Sequence, residues 1–298
     1  MKIQSIARAT VAATWLAATL LLPACVAPPT QTGPATLSPQ AIARIVATPD
    51  RSAADRTNDI RRKPEAMFAF IGIRPGMVAL DLSAAGGYTT ELLARTIGPT
   101  GTVYGQSQAR DPSRPPVAPA APEGASHPAP AAAAAPPPPR AMGAPRTSAM
   151  ALAERESKLR SANVAAAPIV AVVRWFEEPV PPELADARLD LVTLMFNYHD
   201  LGFMGVDRSQ MNRAVFRALK PGGIYVIADH SGRPGTGISE SGTLHRIEEA
   251  FLRSEVEAAG FRLKEEGSFL RNPSDPRDKN TPNPPQPKDE FVLKFVKP

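Results

Sequence analysis

The chain has 298 residues, a formal net charge of +5, 43% hydrophobic and 21% charged residues, and 34 prolines. That balance is ordinary for a globular protein and excludes a fully disordered chain, a collagen-like repeat and a multi-span membrane protein. A single cysteine excludes a disulfide scaffold.

Residues 1–24 read as a signal peptide. Lys2 and Arg8 supply its positive start, and Ala9 to Leu22 form an uncharged, mostly apolar run. The run is shorter than the about 20 apolar residues that a membrane span needs. It ends in Leu22-Pro23-Ala24-Cys25, after which the chain turns polar and proline-rich. This end resembles the lipobox of bacterial lipoproteins, which implies acylation of Cys25. The protein would then be exported and lipid-anchored in the cell envelope, with 25–37 as a tether and the domain facing the periplasm. An ordinary signal peptide with an incidental cysteine is the alternative. Losing Lys2 and Arg8 with the leader brings the charge to +3. The remaining bases are interspersed with acids, so no nucleic-acid footprint is present, and no protein partner is evident. The short Arg61-Arg62-Lys63 cluster reads as a solvated loop before Pro64.

Ser38-Pro39 reads as an N-cap followed by proline in the first turn, opening a helix to about Ala47. A second short helix is expected from Pro64 to Ile71. Met77 to Leu82 reads as a buried parallel strand, and Tyr88 to Ile97 as a helix closed by Gly98. Gly101 to Gly105 gives a second strand. Twelve prolines then fall between Asp111 and Pro145, interleaved with alanine, so 109–147 reads as a disordered insertion that cannot bury a core. Without it and the leader, roughly 220 residues remain, one α/β domain spanning 38–298 rather than two. Helical pattern resumes from Ser148 to Asn163. Strands are expected at Ile169–Phe176, Leu189–Phe196 and Ile224–Ala228, with a helix from Asp207 to Leu219 before the last of these. A long helix from Thr243 to Ala259 precedes two final strands, Phe261–Leu270 and Glu290–Val296. No helix separates that pair, so it is expected to be antiparallel. Strands alternating with helices predict a parallel sheet whose ligand site lies at the strands' carboxyl ends.

Three segments carry a family resemblance. They are Val78-Ala79-Leu80-Asp81-Leu82-Ser83-Ala84-Ala85-Gly86-Gly87-Tyr88, Leu189-Asp190-Leu191-Val192 through His199-Asp200, and Leu219-Lys220-Pro221-Gly222-Gly223. Together with the closing strand pair they resemble the class I S-adenosylmethionine-dependent methyltransferases, in particular predicted bacterial members with an Asn-Tyr-His-Asp segment. The resemblance implies a Rossmann-like, doubly wound, mostly parallel seven-stranded sheet with a C-terminal antiparallel pair. It also implies S-adenosylmethionine as cofactor and a small-molecule methyl acceptor. Asp81, Ser83, Ala85, Gly86, Gly87 and Tyr88 would form the cofactor turn, Gln106 would meet the ribose, and Trp175 or Phe176 would flank the adenine. The chain departs from the pattern at Ser83 and Ala85, where the family has glycines, and at Gln106, where it has an acid. Ser and Ala disfavour a positive φ and add a Cβ where a ligand should approach.

Of four histidines, His199, His230 and His245 fall by topology at the carboxyl edge, beside Asp200 and Asp229. His199 is a candidate general base oriented by Asp200 or Asp229, with Asn197 and Tyr198 holding the acceptor and His230 close by. Alternatively His199, Asp229, His230 and His245 form a metal site. A third reading makes these residues ordinary loop-bonding strand ends. Arg233, in a glycine-rich loop, could meet a substrate carboxylate. Three functions follow: methyl transfer by an envelope-anchored enzyme, a non-catalytic ligand-binding lipoprotein on the same scaffold, or a metal-dependent enzyme.

Overall fold

Helix α1 (Pro39–Val46) starts where Ser38 Oγ accepts the Ala41 amide at 3.2 Å, with Pro39 in the first turn. This is a computed structural model, and it describes residues 35–109, 146–280 and 287–298. The expected signal peptide, Cys25 with most of the tether, and 110–145 of the expected insertion lie outside the described residues.

Helix α2 (Ala53–Arg62) occupies part of the region expected as a loop. Ser52 Oγ caps it by accepting the Asp55 amide at 3.1 Å. Its sequence is polar on every side and the residue it buries is Asp55, so no apolar periodicity marks it. Arg61 and Arg62 therefore form a last helical turn, where the helix dipole favours cations. Lys63 turns left-handed at φ 43°, and Pro64 opens α3 (Pro64–Ile71).

The sheet begins with β1 (Val78–Leu82), followed by α4 (Tyr88–Ile97) and β2 (Thr102–Ser107). After the undescribed segment come α5 (Ser148–Ser161), capped by Thr147, then β3 (Ile169–Val173) and β4 (Leu189–Met195). A short helix α6 (Tyr198–Phe203) follows β4 directly, then α7 (Arg208–Ala218) and β5 (Leu219–His230). Strand β5 starts before the expected turn and absorbs Pro221-Gly222-Gly223 as an irregular opening, with a register shift against β4. The long helix expected after it is two helices, α8 (Ser241–Leu244) and α9 (Glu249–Ala258). His245, left-handed at φ 50°, ends the first, and Ile247 then bridges to Ser231. Strands β6 (Arg262–Gly267) and β7 (Glu290–Val296) close the chain.

The seven strands lie in the order β3-β2-β1-β4-β5-β7-β6. The first five are mutually parallel, and β7 runs antiparallel to both β5 and β6. This is the expected α/β, Rossmann-like sheet with its antiparallel end. Crossovers leave β1 in one direction through β2 and β3 and in the other through β4 and β5, so the switch point lies between β1 and β4.

Each face of the sheet buries its own core. Ala79, Val103 and Val226 meet Ile42, Phe68, Leu92 and Leu93 from α1, α3 and α4. Leu80, Val192 and Tyr225 meet Met211, Val215, Leu252 and Val256 from α7 and α9 on the opposite face. Each such side chain contributes about 1.5–3 kcal/mol by leaving water. Among the described residues, no helix is long and apolar enough to cross a membrane.

Candidate active site at the carboxyl edge of the sheet

The turn from β1 to α4 holds an unusual backbone. Ser83, Ala85 and Gly87 all have positive φ, at 56°, 46° and 79°. The chain thus keeps a glycine-type turn with two residues that resist it, at a cost of about 1–2 kcal/mol each. Two side-chain systems hold it in place. Gln106 accepts the Ser83 amide through Oε1 at 3.1 Å, and its backbone carbonyl accepts the Ala84 amide at 2.8 Å. Asp81, buried at the sheet's centre, accepts the hydroxyls of Thr90 on α4 (2.6 Å) and Thr193 on β4 (2.8 Å). Burial dominates its ionisation and raises its pKa to about 6, against the pull of those two hydroxyls.

The turn also has an open side. Among the described residues, no atom lies within 4 Å of where a Cβ on Gly86 would stand, and the amides of Ala85 and Gly86 make no hydrogen bond. Their carbonyls point elsewhere: Ser148 Oγ donates to Ala85 O at 2.7 Å and Arg155 Nε to Gly86 O at 2.6 Å. Both donors belong to α5. Arg155 continues into a bidentate pair with Asp55 of α2 (2.8 and 2.9 Å) and a further pair with Glu91 of α4. No motif marks Arg155 in the sequence; its role exists only once α2, α4 and α5 are brought together.

Three expected cofactor residues lie differently from expectation. Gln106 is fully buried, and its Nε2 donates to Arg174 O at 2.8 Å, so neither end of the amide faces a ligand. It staples the turn instead. Phe176 is buried in the core, whereas Trp175 next to it is 42% exposed beyond β3. Tyr88 donates its hydroxyl to Asp59 at 2.7 Å. Its side chain helps to line a shallow cleft with Arg62, Phe68, Thr89, Met195 and Phe196. The Arg62 guanidinium sits 3.9 Å from the Phe196 ring centroid, a cation–π contact at the switch point with no signal in the sequence.

The histidines converge as expected, in a different arrangement. His199 Nδ1 is 2.6 Å from Asp229 Oδ1, and its Nε2 is 3.1 Å from Asp200 Oδ1. His245 Nδ1 approaches that same Asp200 oxygen at 3.1 Å, and Asn197 donates to the other oxygen at 2.7 Å. Burial alone would lower the His199 pKa; the charge of Asp229 and the hydrogen bonds to both carboxylates outweigh it and push the pKa up to about 10. In this arrangement both ring nitrogens face carboxylates, which favour the protonated ring.

The ring of His230, the last residue of β5, lies 5.4 Å from that of His199 between centroids, but its Nδ1 is 3.0 Å from Glu290 on β7. Tyr198 is fully buried; its hydroxyl donates to Glu255 at 3.0 Å and accepts from Asn212 at 2.9 Å, so it packs the core rather than holding an acceptor. Asp229 spends one oxygen on the His199 amide and the other on the His199 ring and the His230 amide. It orients the cluster from behind. Arg233 pairs with Glu240, and its loop is pinned by Gly232 and Gly237 to Ile247 and Glu248. Non-glycine residues with positive φ recur along this edge at Ser83, Ala85, Phe196 and His245, and strain of that kind concentrates at functional sites.

No protein-family model and no curated protein matches the chain. Among solved structures it is similar to an S-adenosylmethionine-dependent methyltransferase from Aquifex aeolicus, at 15% identity and a TM-score of 0.50 over 88% of this chain and 100% of that one. It is also similar to an arsenic(III) S-adenosylmethionine methyltransferase from Chlamydomonas reinhardtii (15% identity, TM-score 0.46, 75% of this chain and 64% of that one). A third is a TehB-like methyltransferase from Corynebacterium glutamicum (16% identity, TM-score 0.43, 82% and 96%). At these identities the likeness is one of fold: the chain has the Rossmann-like seven-stranded sheet found in S-adenosylmethionine-dependent methyltransferases.

Proposed function

We propose that the chain is a class I S-adenosylmethionine-dependent methyltransferase acting on a small acceptor, carried on an exported, lipid-anchored protein. One observation carries the reading. The β1–α4 turn keeps left-handed backbone at Ser83, Ala85 and Gly87, offers the unpaired amides of Ala85 and Gly86, and leaves the space before Gly86 open, all beside the switch point. Paired amide donors of this kind suit a carboxylate, which is what the amino-acid end of the cofactor presents. Trp175 offers an exposed ring for the adenine.

S-adenosylmethionine supplies an electrophilic methyl group on a positively charged sulfur. Direct displacement asks the protein mainly for position and dryness. The cleft lined by Met195, Phe196 and Tyr88 supplies an apolar wall, and Asn197, the next residue in the chain, carries a polar group bonded to Asp200. The absence of a carboxylate at Gln106 favours a second reading, a non-catalytic binding protein on this scaffold, because the ribose loses its charge-assisted acceptor.

Calorimetric titration of the full chain with S-adenosylhomocysteine tests binding. A Gly86→Val variant adds bulk only into open space at an ordinary φ, so it should retain its melting temperature and lose binding. Absence of heat at millimolar ligand, or equal binding by Gly86→Val, would sink the cofactor reading. Binding without transfer to any nucleophile favours the second. The anchor rests on Leu22-Pro23-Ala24-Cys25. Labelled palmitate should enter the full chain in cells and fail to enter Cys25→Ser; no labelling of the unaltered chain refutes it.

A further inference from the structure

We propose that His199, Asp200 and His245 bind one divalent transition-metal ion of the zinc type, with Asp229 orienting the first ligand. The three ligand atoms, one from each residue, lie within 4.8 Å of one another. Both imidazole nitrogens stand 3.1 Å from a single oxygen of Asp200. Two ligands about 2.1 Å from one ion at tetrahedral or octahedral angles lie about 3.0–3.4 Å apart, so each imidazole–carboxylate spacing is already that of neighbouring ligands, and the two imidazoles need only close toward each other. Side-chain adjustment, with release of the His199 ring proton to solvent, brings the set to coordination distance.

The surroundings are those of a metal-binding histidine. His199 offers Nε2 to the cluster and turns Nδ1 to Asp229, the carboxylate–imidazole relation that fixes tautomer and ring direction in metal sites. Asp229 is in turn held by the amides of His199 and His230. Asn197 fixes the far oxygen of Asp200. His245 reaches the cluster from a left-handed backbone at the end of α8, where nothing in the helix itself requires that conformation. Two imidazoles with one carboxylate suit Zn²⁺, Co²⁺ or Fe²⁺ better than Mg²⁺ or Ca²⁺, which prefer oxygen alone. The side chains of Asp200 and His245 are each 20% exposed, so the remaining coordination positions open to solvent, as in sites where the ion meets a substrate.

The membership differs from the set suggested by sequence. Asp229 has no oxygen to spare, and His230 turns to Glu290. The site does not rest on the methyl-transfer reading, since none of its ligands belongs to the β1–α4 turn.

The full chain, stripped with chelator, is titrated with ZnCl₂ by calorimetry and with CoCl₂ by visible absorbance. One ion per chain is expected, with a d–d band from nitrogen and oxygen ligands. His245→Gln and Asp200→Asn, both at partly exposed side chains, should keep the circular dichroism spectrum and weaken binding by about 100-fold or more. Absence of stoichiometric binding overturns the proposal, as does equal affinity in His245→Gln. Displacement of Co²⁺ by equimolar Mg²⁺ also overturns it. Running the S-adenosylhomocysteine titration on stripped protein keeps the two readings separable, because either can fail while the other holds.

Discussion

His199 presents its ring nitrogen Nδ1 to Asp229 Oδ1 at 2.6 Å and its own backbone amide to Asp229 Oδ2 at 2.8 Å. One fully buried carboxylate on β5 therefore fixes both the start of α6 and the direction of the ring it carries. Asp229→Asn keeps the shape but replaces one acceptor oxygen with a donor, facing either the ring or the amide. A buried group left unsatisfied costs about 1–3 kcal/mol, so the urea midpoint should fall accordingly. An unchanged midpoint would show that the pair holds nothing in place.

Arg155 is the second junction. It ties α5 to α2 through Asp55, to α4 through Glu91 and to the turn through Gly86 O. Burial tends to raise the Asp55 pKa, and the Arg155 guanidinium outweighs it, holding the carboxyl below the usual range. Arg155→Met would strand buried carboxylates, which costs about 3–5 kcal/mol when one partner of a buried pair is removed. The expected result is a large drop in denaturant midpoint. A loss below about 1 kcal/mol, the range of surface pairs, would contradict it.

The alternation of strands and helices, the antiparallel end and the placement of the histidines at one edge were legible because each rests on local signals: short apolar runs, Pro-Gly turns, and a missing helix before the last strand. Helix α2 was not legible, because it contributes charge rather than an apolar stripe and is held by Ser52 at one end and ion pairs along its side. The break at His245 was hidden because the tertiary bridge of Ile247 to Ser231 ends the helix, not a glycine or proline. Gln106 could be assigned to the strand's end by counting, yet which way its amide points depends on Ser83 and Arg174, far apart in sequence. Pairing Asp200 rather than Asp229 with His245 likewise needs α6 and α8 side by side.

The strained turn makes a prediction of opposite sign to most substitutions. Ser83 and Ala85 sit at φ 56° and 46°, where a non-glycine residue costs about 1–2 kcal/mol. Glycine returns about 0.5–1 kcal/mol of that as extra freedom in the unfolded chain. Ala85→Gly should therefore stabilise by about 0.5–1 kcal/mol, read as a rise in thermal midpoint. Ser83→Gly should do the same, since only the Ser83 backbone amide is used in its bond to Gln106. A fall in either midpoint would mean that the side chain carries a contact outweighing the backbone strain.

Asp81 gives the pH prediction. Its folded pKa is raised to about 6 from the ordinary 3.8, with burial as the first cause, opposed by Thr90 and Thr193. The folded state then holds this proton more tightly than the unfolded state. Its contribution is fully present below about pH 3.8 and is lost as pH rises through about 6, by about 3 kcal/mol at 1.36 kcal/mol per unit. Asp50, Asp55 and Asp275 are shifted downward and act in the opposite direction, favouring the fold as pH rises. The raw pH profile therefore mixes both signs. Subtracting Asp81→Asn isolates the one carboxyl, because asparagine keeps an acceptor for Thr193 without a charge to bury. Stability of the unaltered chain relative to Asp81→Asn should decline between pH 4 and 7 and level off above, as followed by urea unfolding at each pH. A relative stability that stays flat or rises across that window would show that the threonine hydroxyls, not burial, govern Asp81.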